Sequence, residues 1–258
     1  YVDSVDLGYS QDQLNAFLPT FWKADLEGDF RLGIPAYRTG HFLFYNQSWA
    51  QDLGFESYPQ TSAEFSEQAC AAAEANQMDA LMSNNGTGGW VYDTQALTTL
   101  SWLDAFAGSD LISSNGSVDF TVEGGQTALE YVYDLYQQDC AWVGKQSEPH
   151  QYFADRYALM YSGNSADILL QEQLDQEAGN SDQWIMIPFP SDNSRPVVFV
   201  SGYSYAILSE DEEKAKAAWL FLRYMDSMEN QLKVIEATAS LPLTNTAINL
   251  LADFRREH

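Results

Sequence analysis

The chain has 258 residues, of which 45% are hydrophobic and only 19% are charged, so it can bury enough apolar surface to fold, which excludes overall disorder. Acidic residues outnumber basic ones 37 to 12, and the formal net charge of −25 disfavours nucleic acids and anionic lipids as partners, because both attract clustered Lys and Arg. Such acidity is typical of proteins that stay soluble in a salty or extracellular medium.

In chain order, the first predicted element is a short amphipathic segment at 11–18. A strand is predicted over 41–45, because its apolar run is continuous and turn-forming residues precede it. The first well-marked helix begins at Thr61, since Thr61 and Glu64 have the spacing of a capping box, in which each side chain satisfies a free backbone N–H. No apolar run approaches the ~20 residues that span a bilayer, and the first residues do not have the pattern of a signal peptide.

After a Gly-rich loop at 84–89, Asp93 is predicted to cap a helix that extends to about Ala107. Two further helices are indicated by apolar residues spaced i, i+3, i+4 and i+7: Leu129, Val132, Tyr133 and Tyr136, then Ala218, Phe221, Leu222 and Met225. The rings of Tyr131, Tyr133 and Tyr136 are expected to pack into the core. Further short strands are predicted at 157–160, 184–187, 197–200 and 203–207. This alternation indicates an α/β fold, and the Pro-rich segment 188–196 is the best candidate for a boundary between lobes.

Cys70 and Cys140 are the only cysteines, too few for a disulfide scaffold and in the wrong pattern for a zinc site. They can form one disulfide in an oxidising compartment, or they can be two buried thiols. The second interpretation is favoured.

The residue pattern argues against an enzyme. Segment 202–206 approximates the nucleophile elbow of serine hydrolases, but the residues after it continue a strand where a helix is required. No two histidines have the spacing of a zinc site, and no phosphate loop occurs. We therefore expect no catalytic residues, no cofactor and no metal. A glycan-active hydrolase stays open as an alternative, because its two carboxylates need only meet in space.

Several segments occur in an order and spacing that one family shares. Residues 33–38 and 44–46 look like its GIP…LYYN segment, and Pro59, Thr61, Glu64 and Phe65 match its PxTxxEF helix start. The residues Phe153, Ala158, Leu159, Met160 and Gly163 resemble F…GxAAMxxG, with 155–157 in place of the usual Gly region. Segments 201–207, 215–222 and 241–243 resemble GGxxxAI, AxxFL and LP. Over roughly 30–245 the chain therefore resembles the extracellular solute-binding proteins of family 1, which include the maltose-binding protein.

The resemblance implies a periplasmic-binding-protein-like fold of type II, in which two α/β lobes joined by crossing strands close around a solute. By analogy, residues 1–44 and 197–241 form part of the first lobe, 45–190 a nearly complete second lobe, and 242–258 the start of a C-terminal helical section. Relative to the family the chain is expected to be truncated at both ends.

The implied function is that of the solute-binding component of an ABC importer, a monomer that captures a sugar or similar polar solute for the membrane permease subunits. The implied location is extracytoplasmic, in the periplasm or as a lipoprotein at the outer face of the cytoplasmic membrane. Besides the hydrolase, a stand-alone carbohydrate-binding module stays open as an alternative.

Ten residues in or beside loops at strand ends, where α/β folds place ligands, are candidates for solute contacts. They are Tyr37, Arg38, Thr39, His41, Trp90, Tyr92, Asn164, Ser201, Gly202 and Tyr203. Aromatic rings suit the C–H face of a sugar, and the polar groups suit its hydroxyls. For His41 a buried core histidine is the favoured alternative. Packing against the next helix is the alternative for Trp90 and Tyr92, and a β-bulge is the alternative at Gly202.

Overall fold

The computed structural model describes residues 1–78, 87–93, 95–111, 117–144, 149–192 and 195–251. Within them the helices are α1 (Gln11–Ala16), α2 (Pro19–Lys23), α3 (Gln47–Asp52), α4 (Ser62–Met78), α5 (Ala96–Ala107), α6 (Glu123–Gln137), α7 (His150–Ala154), α8 (Ile168–Ala178), α9 (Glu212–Met225), α10 (Met228–Thr238) and α11 (Asn245–Leu250). The strands are β1 (Leu26–Glu27), β2 (Phe30–Arg31), β3 (Ile34–Asn46), β4 (Trp90–Tyr92), β5 (Ala141–Val143), β6 (Met160–Asn164), β7 (Trp184–Ile187) and β8 (Phe199–Tyr205). Every helix in these ranges is too short or too polar to span a lipid bilayer.

The chain forms two compact units. Unit 1 comprises Tyr1–Gly40 and Val200–His258, and unit 2 comprises His41–Phe199. The chain passes from unit 1 into unit 2 within β3 and returns at the start of β8. The described core of unit 2 consists of one large cluster of apolar side chains and a small one formed by Leu103, Leu111 and Ala128, whereas that of unit 1 consists of three small clusters.

The sheet of unit 2 has the strand order β5-β4-β6-β3-β7. β4 runs parallel to β5 and β6, and β3 runs antiparallel to β6 and β7. Leu43, Phe44 and Tyr45 of β3 are almost completely buried, as a continuous apolar run predicts for a strand covered on both faces. The strand predicted at 41–45 is therefore confirmed.

The helix starts differ in how well the local sequence predicts them. At α4 the capping box is confirmed, because Glu64 N donates to Thr61 Oγ1 at 3.2 Å and Thr61 N donates to Glu64 Oε2 at 3.3 Å. At α5 the predicted cap is wrong, since the N-cap is Gln95 and Asp93 accepts a hydrogen bond from Gln95 N in the preceding turn. The predicted end of α5 at Ala107 is confirmed. The predicted loop at 84–89 lies partly outside the described residues.

Helix α6 forms as predicted, but its tyrosine rings are not all in the core. Tyr133 and Tyr136 are 60% and 52% exposed, and only Tyr131 is largely covered. The buried residues of the helix are Gly125, Ala128 and Leu135, and Ala128 packs with Leu103 of α5. The spacing of apolar residues identifies the helix, but it does not decide which side of the helix faces the core. That side is set by packing against α5, where small side chains permit the closest approach of the two helices.

The predicted strands differ mainly at their ends. The strand at 184–187 is confirmed as β7. The strand predicted at 157–160 lies further along the chain, as β6. The segments 197–200 and 203–207 contribute to one strand, β8, and Val197 forms only an isolated bridge with Phe189.

Cys70 of α4 and Cys140 before β5 form a disulfide, with their Cα atoms 4.4 Å apart. The expectation of two free buried thiols is therefore wrong. The two residues are 70 positions apart in sequence, and they meet because α4 packs beside β5 in the core of unit 2.

Arg156 adopts a left-handed backbone conformation, with φ of 58°, in the segment where the family pattern has glycine. Its guanidinium donates two hydrogen bonds of 2.6 Å to Asp182 and one of 3.0 Å to Asp52. We expect Arg156→Ala to be less stable than Arg156→Gly by about 1 kcal/mol. Both variants lose the ion pairs, but a positive φ is unfavourable for alanine and not for glycine. Urea denaturation of the two variants measures the difference, and equal midpoints would contradict it.

Candidate functional site

In unit 1, four of the predicted contact residues lie together where β8 pairs with β3. The rings of Tyr37 and Tyr203 are stacked, with centroids 5.2 Å apart and planes 14° apart. Thr39 Oγ1 and Ser201 Oγ are 3.2 Å apart. Because side chains two residues apart share a face of a strand, the two pairs lie on one face of the ribbon. Tyr203 and Ser201 are exposed, Tyr37 is half-buried and Thr39 is buried.

Gly202 allows this close pairing. Its φ is 153°, and a Cβ atom at this position would collide with the carbonyl oxygen of Tyr37. Glycine is therefore required for the approach of the two backbones, within a continuous strand β8.

Arg38 lies on the opposite face of the ribbon from Tyr37 and Thr39, and it is 6% exposed. Its guanidinium donates to the carbonyl oxygens of Tyr37 and Tyr203 and, at 2.9 Å, to Ser204 Oγ. Asp25 accepts a hydrogen bond from Ser204 and lies 3.5 Å from the guanidinium. These contacts attach β8 to β3, so the structure does not bring this guanidinium to the face of the tyrosine pair.

In unit 2, polar side chains gather where the parallel strands β4 and β6 end. Asp93 directly follows β4, Asn164 ends β6, and His41 lies opposite Asn164 in the β3–β6 register. His41 Nε2 is 2.9 Å from Thr98 Oγ1 at the start of α5. We call His41, Asp93, Thr98, Asn164 and Asp167 the polar edge. The carboxyl ends of parallel strands are where α/β sheets bind ligands.

His41 is completely buried, and its ring stacks on Phe189 with centroids 5.6 Å apart. Burial lowers the pKa of His41 to about 4, against the opposing influence of Asn164 and of the charge of Asp167. The imidazole is therefore neutral at pH 7. It supports the polar edge from inside the protein, as a core histidine does.

Sequence reasoning missed three residues of the polar edge, namely Thr98 and the two carboxylates, Asp93 and Asp167. Burial raises the pKa of Asp93, hydrogen bonds from Thr98 and from the backbone of Gln95 oppose this effect, and the charge of Asp167 adds a smaller increase. Asp93 Oδ2 has no hydrogen-bond partner among the described residues. Asp167 accepts a hydrogen bond from Asn164 N at 2.7 Å, and its carboxylate lies 3.7 Å from His150 Nε2. The positions of Asp93 and Asp167 just after β4 and β6 are the signal that could have identified these two residues.

The two other candidates of unit 2 have different surroundings. Trp90 has no exposed surface and packs edge-on against Trp102 in the core, so its ring offers no face to a solute. Tyr92 is half-buried, and its hydroxyl is 3.2 Å from Thr99 Oγ1. It lines an apolar groove of about 330 Å³ together with residues of α5, α6 and β5.

The fold is that of periplasmic sugar-binding proteins. The sugar-binding protein MalE of the phytopathogen Xanthomonas citri matches with a TM-score of 0.76 at 20% identity, over 91% of this chain and 58% of its own. MalE3 of T. maritima, bound to maltose, matches with a TM-score of 0.72 at 17% identity, over 91% and 60%. UgpB of Mycobacterium tuberculosis, in complex with glycerophosphocholine, matches with 0.74 at 16% identity, over 92% and 59%. The α/β fold of the periplasmic-binding-protein type is thereby confirmed.

The chain spans about three fifths of the length of these neighbours. No curated protein sequence matches it. The family model of the bacterial extracellular solute-binding proteins matches residues 2–256, and both the family and the solved neighbours are binding proteins rather than enzymes. Because this match covers nearly the whole sequence, the chain belongs to the bacterial extracellular solute-binding proteins.

Proposed function

We propose that this protein captures a sugar or similar polar solute as the solute-binding component of an ABC importer. The observation that carries the proposal is the polar edge, where His41, Asp93, Thr98, Asn164 and Asp167 meet at the carboxyl ends of β4 and β6. Family membership supports it, as do the structural neighbours that bind maltose and glycerophosphocholine.

The chemistry of the two units suits a hydroxyl-rich solute. In unit 1 the exposed ring of Tyr203, backed by Tyr37, offers a flat surface on which the C–H face of a sugar can stack. Ser201 and Thr39 are neighbours of this pair, and their hydroxyls both donate and accept hydrogen bonds. In unit 2 Asn164 and Asp93 supply an amide and a carboxylate, the groups that bind hydroxyls with a defined direction.

The proposal includes a location and partners. We propose that the protein works outside the cytoplasm, in the periplasm or as a lipoprotein, and passes its solute to membrane permease subunits of an importer. Its membership of an extracellular solute-binding family supports this location. We propose a monomer that performs no chemical step. The glycan-active hydrolase and the stand-alone carbohydrate-binding module are the outcomes against which the experiment is designed.

A thermal-shift and calorimetric screen of monosaccharides, disaccharides, polyols and glycerol phosphates tests solute capture. We expect one small solute to stabilise the protein by mass action, and we expect Tyr203→Ala to weaken its Kd at least about tenfold, which corresponds to a loss of roughly 1.4 kcal/mol. The matched control is Tyr224→Ala, which removes a ring that is 64% exposed on α9 of the same unit.

The alternatives give different results in the same experiment. If the solute is turned over, and one carboxylate substitution abolishes the product, the protein is a hydrolase. Binding to polymeric glycans without binding to small sugars would identify a carbohydrate-binding module. Equal losses in the two tyrosine variants would contradict the assignment of Tyr203 to the site.

A further inference from the structure

We propose, on the basis of the proposed function, that the polar edge selects the solute by charge. It accepts uncharged or positively charged groups and rejects anions.

The charges at the polar edge are negative. Asp93 and Asp167 follow the neighbouring parallel strands β4 and β6, so both carboxylates lie at the same end of the sheet, and the charge of Asp167 is a minor contributor to the raised pKa of Asp93. His41 does not offset them, because it is buried and neutral at pH 7. His150 contacts Asp167 at 3.7 Å from the α7 side.

The cationic side chains described in unit 2 are engaged elsewhere. Arg156 binds Asp182 and Asp52 through charged hydrogen bonds. The charge of Arg195 acts on Asp104 in α5. The third cation of this unit, Lys145, lies outside the described residues.

Among the buried polar atoms at this end of the sheet that lack partners within the described ranges are Asp93 Oδ2, His41 Nδ1 and Ser162 Oγ. Ser162 is only 1% exposed, and His41 has no exposed surface. Ser162 and Asn164 share one face of β6, and His41 lies opposite Asn164. Buried polar atoms are normally hydrogen-bonded, so unpaired ones beside a ligand edge indicate the groups that a bound molecule satisfies. A carboxylate oxygen can only accept, and it therefore requires a donor such as a hydroxyl or an ammonium group.

An anion at this edge would meet two carboxylates in surroundings that screen charge weakly, because burial lowers the local dielectric response. A hydroxyl would satisfy Asp93 Oδ2 without adding charge. An ammonium group would satisfy it and also offset the repulsion between the two carboxylates.

The test is a calorimetric series at pH 7.5 with the full chain, built on the sugar scaffold that binds in the screen. Its neutral, 2-amino, uronate and 6-phosphate forms are compared. We expect the uronate and phosphate forms to bind at least about tenfold more weakly than the neutral and amino forms. We expect Asp93→Asn to narrow this gap and Asp134→Asn, which removes an exposed carboxylate from α6, to leave it unchanged. In the unmodified protein, the gap is expected to persist in about 1 M NaCl, because salt screens the net surface charge but has little effect on partly buried carboxylates, and this measurement does not depend on the folding of a variant.

Failure of the inference and failure of the proposed function look different in this series. An anionic form that binds as tightly as the neutral form, or more tightly, overturns charge selection while solute capture stands. If that anion preference disappears in Lys145→Ala, charge selection belongs to this lysine and not to the polar edge. Absence of binding by every form overturns the proposed function and the inference with it.

Discussion

Replacing Cys70 and Cys140 together by alanine is expected to lower the free energy of unfolding of unit 2 by about 4 kcal/mol. The bond joins residues 70 positions apart, so it restricts a long loop in the unfolded chain, and the entropic effect of a cross-link grows with the length of that loop. It also attaches α4 to the residue that precedes β5, within the core cluster that contains Trp90.

Urea denaturation with and without reductant measures this contribution. Reductant should shift the midpoint of the wild-type protein to that of the double variant, and it should leave the midpoint of the double variant unchanged. A double variant that unfolds at the wild-type urea concentration would show that the bond contributes nothing to unit 2.

The second large effect is a loss of stability in acid that originates at His41. The pKa of His41 is lowered to about 4 in the folded protein, mainly by burial, whereas an ordinary histidine has a value near 6.5. Above pH 6.5 the ring is neutral in the folded and unfolded states, and His41 makes its full contribution to the free energy of unfolding. As the pH falls from 6.5 towards 4, the unfolded chain takes up a proton that the folded protein does not, and the free energy of unfolding decreases by about 3 kcal/mol.

Denaturation of the wild-type protein and of His41→Gln between pH 7 and pH 4 isolates this effect, since the other titrating groups cancel in the difference. The two stability curves should converge towards acid. Parallel curves would contradict the prediction.

Asp226 of unit 1 provides a control of opposite sign. Burial raises the pKa of Asp226 to about 6, although Tyr9 OH donates a hydrogen bond of 2.6 Å to its carboxylate. The folded protein therefore binds this proton before the unfolded chain does, so the contribution of Asp226 increases as the pH falls from 6 towards 4. As the pH falls, the difference in free energy of unfolding between the wild type and Asp226→Asn should shift in favour of the wild type. The corresponding difference for His41→Gln should shift against the wild type.

How much the sequence predicts depends on how far apart the interacting residues are. The capping box of Thr61 and Glu64 and the strand at 41–45 are local features, and both are found where the sequence places them. The bond between Cys70 and Cys140 depends on how α4 packs beside β5, which no local pattern contains. The exposure of Tyr133 has the same origin, because it follows from the close packing of Ala128 against α5.

The candidate site follows the same rule. Position at a strand end identifies Asn164 as a member of the polar edge, but it does not predict that Trp90 is completely buried or that Arg38 binds neighbouring backbone. Solute contact by the ten candidates stays a prediction. The lobe boundaries near 44, 190, 197 and 241 also stay predictions, beside the units that divide at 40/41 and 199/200.

The hydrogen bonds of Arg38 have a consequence for how relatives of this chain can be recognised. Its planar guanidinium reaches two carbonyl oxygens, a hydroxyl and a carboxylate at once, which the single ammonium group of lysine cannot do. Asp25, Arg38 and Ser204 are thus mutually dependent although they are far apart in sequence. In evolution the three should be inherited or replaced together, and their joint presence would mark the sequences that keep this strand pairing.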